Sequence, residues 1–495
     1  MSDTLPIGVL HLDVKHGQTA ENRAALTSHA EKAARLGAKI IVAPELAVSG
    51  YSFEGRSQVA ECAEVLRGPT FRELSRMARR YGVFIVAGIA ERDPATEIYY
   101  NTALALGPDG EPAAHHRKVI AAERRWACPG QLSSSSLLDT PWGRMGILIC
   151  ADSYAGLLPR SLALYGVDLL LVPANWPPSG VDPTHVWRAR ALENGFGVVG
   201  CNRTGLDRVM DCRACRSYAV TAFGEVLLDA ACPHSKVWMV NYPLEAGRLS
   251  SQVRTAKLAE RRPDDFGALY LDVNGLTDFA ALWGLPAGGP LDVRCLVSES
   301  REQAAADVKR AADDCDSVPT LLVLPRGGGG FSAEELAPLV QGRPLAVAAD
   351  LAGPEGGVSG YGLISSAGCV GLASGESFAM VDFGPARIGL VRPESLVHPE
   401  LAVSLSKQGC DLLVTSPDRF EPDDRLLLGV KCLERSAVAA VSGEGAMICE
   451  PPVGHEAWKE TLLTGRGVCS ARLDTAALRC KRFYDRVDME VLLRR

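Results

Sequence analysis

Apolar residues recur along this chain in two alternating spacings. Between residues 24 and 36 the alanines and leucines fall on one face of a helix, and a glycine follows the last of them. Residues 40–43 then form a run of consecutive apolar side chains, which is typical of a short strand covered on both faces. Helical and strand patterns continue to alternate along the chain, so the sequence predicts an α/β protein built in layers.

The helix and strand pattern occurs a second time near residue 300, in REQAAADVKRAADDCDSVPTLLVLP. Later segments correspond in the same order: YGVDLLLVPANW with QGCDLLVTSPDRF, and RARALENGFGVVGCNRTG with GVKCLERSAVAAVSGEG. An ordered repeat of this length predicts two homologous domains, residues 1–281 and residues 293–495. Proline and glycine interrupt the apolar pattern at residues 282–292, which we expect to be the linker. We expect the two copies to pack as an internal pseudo-dimer.

Composition and charge narrow the class of partner. Of 495 residues, 47% are hydrophobic and 22% are charged, as in a globular protein with a full core. The net charge is −7 and Lys and Arg form no dense cluster, so no nucleic-acid partner is expected. No apolar run reaches the roughly 18 residues of a membrane span, so no membrane partner is expected either. The first residues lack a signal-peptide pattern, so we expect a cytoplasmic protein.

The fifteen cysteines are scattered through the chain, and in the cytoplasm we expect them to be reduced. Cys212 and Cys215 have C-x-x-C spacing within DCRACR, but no second pair follows at the spacing of a zinc site. The sequence therefore predicts neither a metal nor a cofactor.

Three ionisable residues follow predicted strands in the first copy. Glu45 follows IIVAP, Lys118 lies within HHRKV, and Cys150 closes GILIC. A lysine ammonium lowers the pKa of a nearby thiol, and a carboxylate accepts the thiol proton and later activates water. The lysine also stabilises an anionic tetrahedral intermediate, so the three residues together suffice for acyl transfer. Taken singly, each has a structural alternative: a core thiol, a surface carboxylate and a solvated basic turn.

The blocks PELAVSGY, HHRKV and GILICADSY, in this order and spacing, resemble the signature blocks of the carbon–nitrogen hydrolase (nitrilase) superfamily. The resemblance runs from residue 5 to about residue 275 and includes PANWPP, RARALEN and GCNRTG. It implies an α-β-β-α four-layer sandwich for each tandem copy and a catalytic triad at Glu45, Lys118 and Cys150. It also implies a second glutamate after the lysine, a role that falls on Glu123.

Other residues near these blocks are candidates for substrate binding. Tyr51 ends the first block, and Asn175 and Trp176 follow the strand pattern LLLVP. We expect all three side chains to line the substrate pocket.

The second copy departs from the signature blocks. Arg326 stands opposite Glu45, Pro393 stands opposite Cys150, and the segment that would carry the lysine is missing. The second copy is therefore predicted to keep the fold and to lack the triad.

The resemblance implies hydrolysis of a non-peptide C–N bond, and the expected partner is a small primary amide or N-carbamoyl substrate. A thioester on Cys150 would form with release of ammonia. Nitrile hydrolysis and acyl transfer to an amine stay open, although nitrilases of this family follow the cysteine with Trp-Glu, and this chain has Ala151 and Asp152. A non-catalytic binding or scaffold protein is the alternative from another class. Assembly of the pseudo-dimer into a larger homo-oligomer is also compatible with the sequence.

Overall fold

The computed structural model describes the chain except for residues 1–2, 122, 124, 275, 277, 316, 328–329, 353–357, 455, 485 and 495. The chain divides into two compact units. The first comprises Met1–Glu260 and Tyr484–Leu492, and the second comprises Arg261–Phe483 and Leu493–Arg495. The predicted division at residues 281 and 293 differs from this one, because residues 261–281 group with the second unit and a C-terminal segment groups with the first.

In the described part of the first unit, the strands form two six-stranded sheets. The strands are β1 (Thr4–His11), β2 (Ile40–Val42), β3 (Phe84–Arg92), β4 (Tyr99–Leu106), β5 (Pro112–Arg117), β6 (Leu137–Thr140), β7 (Gly143–Ile147), β8 (Leu169–Pro173), β9 (Gly197–Cys201), β10 (Arg216–Val220), β11 (Val226–Ala231) and β12 (Lys236–Pro243). The orders are β12-β1-β2-β3-β4-β5 and β11-β10-β9-β8-β7-β6. Strands β1–β3 and β7–β9 are parallel, and antiparallel strands flank them.

The helices of the first unit are α1 (Thr19–Arg35), α2 (Arg56–Ala60), α3 (Pro69–Tyr81), α4 (Leu157–Leu164), α5 (Pro183–Asn194) and α6 (Gln252–Ala259). Of these, α1, α3 and α5 pack on the outer faces of the sheets, and α6 packs on α4 and α5. Apolar side chains of α1 and α3 share one core with β1–β4, while α5 contacts β9 and β10. Strand β1 contacts β9 and β3 contacts β8 from sheet to sheet. The layers are therefore α-β-β-α, which confirms the predicted fold class.

The surroundings of strand β2 explain why apolar and polar residues do not alternate at residues 40–43. Successive side chains of a strand point to opposite faces. Ile41 and Ala43 pack beneath α1 and α3, whereas Ile40 and Val42 point to the other face and are equally buried. A strand with a helix layer on one side and a sheet on the other needs apolar residues at every position.

The second unit repeats this arrangement. Its strands are β13 (Pro290–Val297), β14 (Thr320–Val323), β15 (Phe331–Ser332), β16 (Leu345–Ala352), β17 (Val358–Ser365), β18 (Gly368–Gly371), β19 (Phe378–Phe383), β20 (Ala386–Val391), β21 (Leu412–Thr415), β22 (Ala437–Ser442), β23 (Gly445–Glu450), β24 (Lys459–Thr464) and β25 (Gly467–Asp474). Its helices are α7 (Phe279–Trp283), α8 (Arg301–Asp313), α9 (Ala333–Val340), α10 (Pro393–Leu396), α11 (Pro399–Lys407), α12 (Pro422–Gly429) and α13 (Thr475–Leu478). The last helix, α14 (Met489–Leu493), lies mostly in the C-terminal segment that groups with the first unit.

The sheets of the second unit run in the orders β18-β17-β16-β14-β13-β25 and β19-β20-β21-β22-β23-β24. Buried residues of both sheets share one core, and α8 and α9 pack on the outer face of the first of them. The succession β20, α11, β21 matches β7, α4, β8 of the first unit, so the predicted tandem repeat is present in the fold. How the two copies pack together stays a prediction. Among the described residues, no helix has the length and apolar character needed to cross a membrane.

Candidate active site

Cys150 lies on a tight turn at the end of β7. The turn is a short 3-10 helix, Cys150–Ser153, and the cysteine has a φ of 47°, in the left-handed region that L-residues rarely adopt. The Ser153 hydroxyl donates to the Cys150 carbonyl over 2.7 Å and holds the turn closed. The cysteine is 7% exposed. Backbone strain of this kind, at a strand end, is a recurrent feature of residues that carry function.

Glu45 lies on the loop that follows β2 and is fully buried. Its Oε1 accepts hydrogen bonds from Lys118 Nζ over 2.6 Å and from Asn101 Nδ2 over 2.7 Å. Its Oε2 is buried and has no hydrogen-bond partner among the described residues. The loop packs closely on Gly88 of β3, where a Cβ would stand 2.4 Å from Leu46 N. One carboxylate oxygen is thus fixed in place and the other is available to accept a proton.

Lys118 joins the two glutamates of the site. Its ammonium donates to Glu45 and, over 2.7 Å, to Glu123 Oε1. Lys118 and the Glu123 side chain are only 1% and 2% exposed. Glu123 Oε2 is likewise buried with no partner in the described part of the chain. Two carboxylates around one ammonium leave this buried cluster with a net negative charge.

The charges of this cluster act on the Cys150 thiol. Burial raises the pKa of Cys150 well above its ordinary value, the negative charge of Glu45 raises it further, and Lys118 opposes both. The lysine lowers this pKa, as expected from the sequence, but burial and the Glu45 carboxylate outweigh the ammonium, so the net shift is upward. The raised pKa keeps the proton on the thiol at neutral pH.

The two partners of the thiol also have shifted pKa values. Burial raises the pKa of Glu45, against the charge of Lys118. For Lys118, burial favours the neutral amine, but the negative charges of Glu123 and Glu45 outweigh it and raise the pKa well above its ordinary value. The lysine is a permanent cation, and Glu45 is a stronger base than an exposed carboxylate.

The predicted pocket residues are placed differently from one another. Tyr51 is half-buried, with its ring 5.8 Å from Lys118 Nζ, and burial together with the negative charge of Glu123 raises its pKa. The backbone N–H of Asn175 lowers the pKa of the Cys150 thiol, which places it near that sulfur, and the Asn175 Nδ2 is buried without a partner among the described residues. Tyr51 therefore lies at the charged cluster, and Asn175 lies beside Cys150.

Trp176 belongs to an aromatic group behind the site. Its indole N–H donates to Val181 O over 3.0 Å, and its ring centre lies 6.1 Å from that of Tyr154 and 6.0 Å from that of Trp187. Asn202 pairs with both the N–H and the carbonyl of Trp176, over 3.0 and 2.9 Å. The role of Trp176 in binding substrate stays a prediction.

Sequence reasoning missed Asp152, which joins the turn of Cys150 to the segment after Lys118. The carboxylate is fully buried and accepts from the backbone N–H groups of Ile149, Val119 and Ile120 over 3.1, 3.0 and 2.7 Å. It also contacts His116 Nε2 at 2.8 Å. The Asp152 carboxylate thus fixes the position of Cys150 relative to Lys118. Asn101 was missed too; a polar residue inside the apolar pattern of β4 was the available signal.

We expect Asp152→Asn to lower kcat by about 10- to 100-fold with little change in KM, because an amide cannot accept at both atoms and some of the buried donors lose their partner. Steady-state kinetics and urea unfolding would measure the effect. Asp139→Asn is the matched control, since Asp139 pairs with Arg144 at 2.8 Å but is 73% exposed. An unchanged kcat in Asp152→Asn would contradict the positioning role.

In the second unit, the positions opposite the triad carry different chemistry. The Arg326 guanidinium lies 3.8 Å from Asp350, and Pro393 is the first residue of α10. Within the described residues of the whole chain, no group of three or more His, Cys, Asp or Glu side chains is arranged to hold a metal ion.

The fold and the site together define an α-β-β-α protein with a buried cysteine beside a glutamate–lysine–glutamate cluster. Residues 7–243 match the family model described as carbon-nitrogen hydrolase. The chain is 30% identical over 213 residues to an omega-amidase of Xenopus laevis, covering 40% of this chain and 75% of that protein. The chain therefore belongs to the carbon–nitrogen hydrolase family, and these similarities support C–N bond hydrolysis in general.

Two further similarities complete the comparison. A probable nitrilase of Schizosaccharomyces pombe is 35% identical over 173 residues, which are 34% of this chain and 62% of that protein, so the match spans less than two thirds of this relative. The crystal structure of a carbon-nitrogen hydrolase from Helicobacter pylori aligns with 55% of this chain and 99% of its own, at 21% identity and a TM-score of 0.48.

Proposed function

We infer that the first unit hydrolyses the bond between carbonyl carbon and nitrogen in a small primary amide or N-carbamoyl compound, with release of ammonia. The observation that carries this proposal is the Lys118 ammonium, held at 2.6 and 2.7 Å between Glu45 and Glu123 in a buried cluster whose charges act on Cys150. Family membership supports the C–N bond, and a relative named as an omega-amidase supports an amide substrate.

In the first half of the reaction, Glu45 Oε2 accepts the thiol proton as the Cys150 sulfur attacks the substrate carbon. Lys118 and the backbone N–H of Asn175 stabilise the negative charge that develops on the substrate oxygen. Glu45 returns the proton to the leaving nitrogen, ammonia departs, and a thioester remains on Cys150. The raised pKa of the thiol fits this order of events, since a concerted base is needed.

In the second half, Glu45 takes a proton from water, and the resulting hydroxide attacks the thioester carbon. The thiol leaves with that proton, and the acid product is released. Glu123 keeps Lys118 in place, and its partnerless Oε2 is an acceptor for the N–H of the substrate amide. Each buried polar atom of the cluster thereby receives a role.

Ammonia release from a panel of primary amides, N-carbamoyl amines and nitriles tests this proposal, together with intact-mass detection of an acyl adduct. Release from an amide or N-carbamoyl compound with an adduct on Cys150 is expected. Addition of hydroxylamine separates water from an amine as acyl acceptor, because hydroxamate forms only if the amine competes. Absence of ammonia and of adduct with every compound would contradict the hydrolase and favour a scaffold role.

Glu123→Gln is expected to shift the acid limb of the kcat/KM profile to lower pH. Burial raises the pKa of Glu45 above its ordinary 4.5, and the negative charge of Glu123 adds to that rise. Glu45 accepts a proton only when it is ionised, so activity falls as the pH drops through this raised pKa. Removal of the Glu123 charge lowers the pKa of Glu45 and moves this fall in activity to lower pH. Loss of one partner of Lys118 is also expected to lower kcat by about tenfold.

The control for this profile is Glu111→Gln, since Glu111 is an exposed carboxylate that pairs with Arg67. Its acid limb should coincide with that of the unmodified protein. An acid limb that stays in place in Glu123→Gln, or moves to higher pH, would contradict Glu45 as the base.

A further inference from the structure

Cys212 and Cys215 flank a two-residue turn in the first unit. The Cys215 N–H donates to the Cys212 carbonyl over 3.0 Å, and the two residues between them are exposed. A hydrogen-bonded turn brings the first and fourth Cα atoms within about 7 Å. A disulfide needs Cα atoms about 4.4–6.8 Å apart, so the turn already provides the spacing of an intramolecular disulfide.

Both thiols pack on the loop that touches the nucleophile. Cys215 Sγ donates to the Trp176 carbonyl over 3.0 Å, and Cys212 Sγ lies 3.9 Å from Asn175 Oδ1. The Asn175 N–H in turn lies near the sulfur of Cys150 and lowers the pKa of that thiol. The dithiol is therefore joined to the candidate active site through two adjacent residues.

The two thiols differ in acidity. Cys215 has one thiol proton and two acceptors, the Trp176 carbonyl and the Cys212 sulfur. A hydrogen bond from Cys215 lowers the pKa of the Cys212 thiol, while the pKa of Cys215 is raised by that same contact. We assign the attack to Cys212 because Cys215 holds its proton on the Trp176 carbonyl, which leaves Cys215 as the resolving thiol.

A surface pocket of about 560 Å³ adjoins the turn. One side is lined by Pro177, Pro178 and Ser179, which directly follow Trp176, and the other by Asp211, Arg213 and Ala214, which flank the two cysteines. The sulfurs themselves are fully buried, so the oxidant reaches them only when the turn that carries them opens locally. The pocket is large enough to hold a small peptide.

We propose that Cys212 and Cys215 form a reversible disulfide that slows reaction at Cys150, with a low-molecular-weight peptide disulfide of the glutathione type as oxidant. The inference rests on the proposed function, because it assigns regulation to the same site. The Cys212 thiolate attacks one sulfur of the oxidant, forming a mixed disulfide and releasing a thiolate. Cys215 then attacks the Cys212 sulfur and releases the second thiol. Two electrons pass to the oxidant, and the two thiol protons go to the two released thiols.

Oxidation changes the loop because the disulfide has no S–H donor. Trp176 O keeps its bond from Asn202 and loses the one from Cys215, and the two sulfurs draw together to about 2.05 Å. Loss of one hydrogen bond beside Asn175 loosens the backbone N–H that lies near the Cys150 sulfur. We expect the reaction of Cys150 to slow by about threefold to tenfold, the range for one hydrogen bond.

The test equilibrates the full chain with oxidised and reduced glutathione in varied ratio. Peptide mass mapping detects the Cys212–Cys215 disulfide, and the rate of iodoacetamide labelling of Cys150 is measured in the same samples. Cys212→Ser and Cys215→Ser each retain a hydroxyl donor and remove the disulfide. Cys232→Ser is the control, since Cys232 is partly exposed and belongs neither to the Cys212–Cys215 pair nor to the candidate active site.

The expected result is a Cys212–Cys215 disulfide that slows labelling of Cys150, with full recovery in dithiothreitol and no slowing in either variant of the pair. Failure of this disulfide to form would overturn the proposal, as would its formation without slowing, or slowing that persists in both variants. Neither measurement requires turnover. A chain that releases no ammonia from any compound would count against the proposed function. The disulfide and the labelling rate of Cys150 would still be measured independently of that outcome.

Discussion

Cys150→Ala is expected to abolish ammonia release, with a loss in kcat on the order of 10⁴-fold or more, because no other group forms the covalent intermediate. The fold should persist, since the substitution removes one sulfur from a turn held by backbone and Ser153 contacts. Release assays with the preferred compound and intact-mass spectra would measure the loss of turnover and of the acyl adduct together.

Cys201→Ala is the matched control for this variant. Cys201 is also a fully buried thiol at a strand end, and its sulfur contacts the carbonyl oxygens of Leu10 and Val42. Burial raises its pKa as well, but no carboxylate or ammonium contributes to that shift. Activity should stay within about threefold, the effect of one hydrogen bond. Equal losses in both variants would contradict a nucleophilic role for Cys150.

Lys118→Met is expected to lower kcat by about 10³-fold or more and to reduce the free energy of unfolding by roughly 3–5 kcal/mol. Methionine keeps the length of the side chain and removes the charge between Glu45 and Glu123. Two buried carboxylates then face each other without a cation, and protonation of one is the cheapest remedy.

The instability of Lys118→Met should depend on pH. Lys118 lowers the pKa of Glu45, so its removal raises a pKa that already lies above the ordinary 4.5. The folded state then binds more protons than the unfolded state, and stability falls as pH rises from about 4.5 through the raised pKa. Urea unfolding at about pH 5 and at about pH 8 would measure how the free energy of unfolding depends on pH.

Two variants bracket the interpretation of Lys118→Met. Lys39→Met removes an exposed lysine and should leave stability and activity nearly unchanged. Addition of Glu123→Gln to Lys118→Met should recover part of the lost stability without recovering activity. A Lys118→Met chain that is as stable at high pH as the unmodified protein would contradict a buried, ionised pair of glutamates.

Much of the candidate site could be predicted because its residues follow strand patterns within short, recognisable blocks. Glu45, Lys118 and Glu123 do meet, although their catalytic roles stay proposals. Asp152 escaped notice since its four partners lie on two separate segments. Accepting hydrogen bonds from a distant backbone leaves no pattern in the chain itself.

The unit boundary depended on contacts that no local pattern reveals. Residues 261–271 group with the second unit because Arg261 pairs with the buried Glu400 at 2.7 Å, and Lys407 donates to Leu269 O and Leu271 O, each over 2.8 Å. The partners in these contacts are more than a hundred residues apart in the chain. Proline and glycine around residue 285 mark a break in apolar pattern, which is a different property from a break in contacts.

The sequence by itself determined the fold class, the tandem repeat and the identity of the candidate triad, because hydrophobic periodicity and short blocks depend on neighbours along the chain. Only the tertiary structure decided the charge state of Cys150, the clamp by Asp152 and the closeness of Cys212 and Cys215 to the nucleophile. These properties arise from burial and from groups brought together by folding. Desolvation and Coulomb interactions act through space, so their balance is set only when the fold has formed.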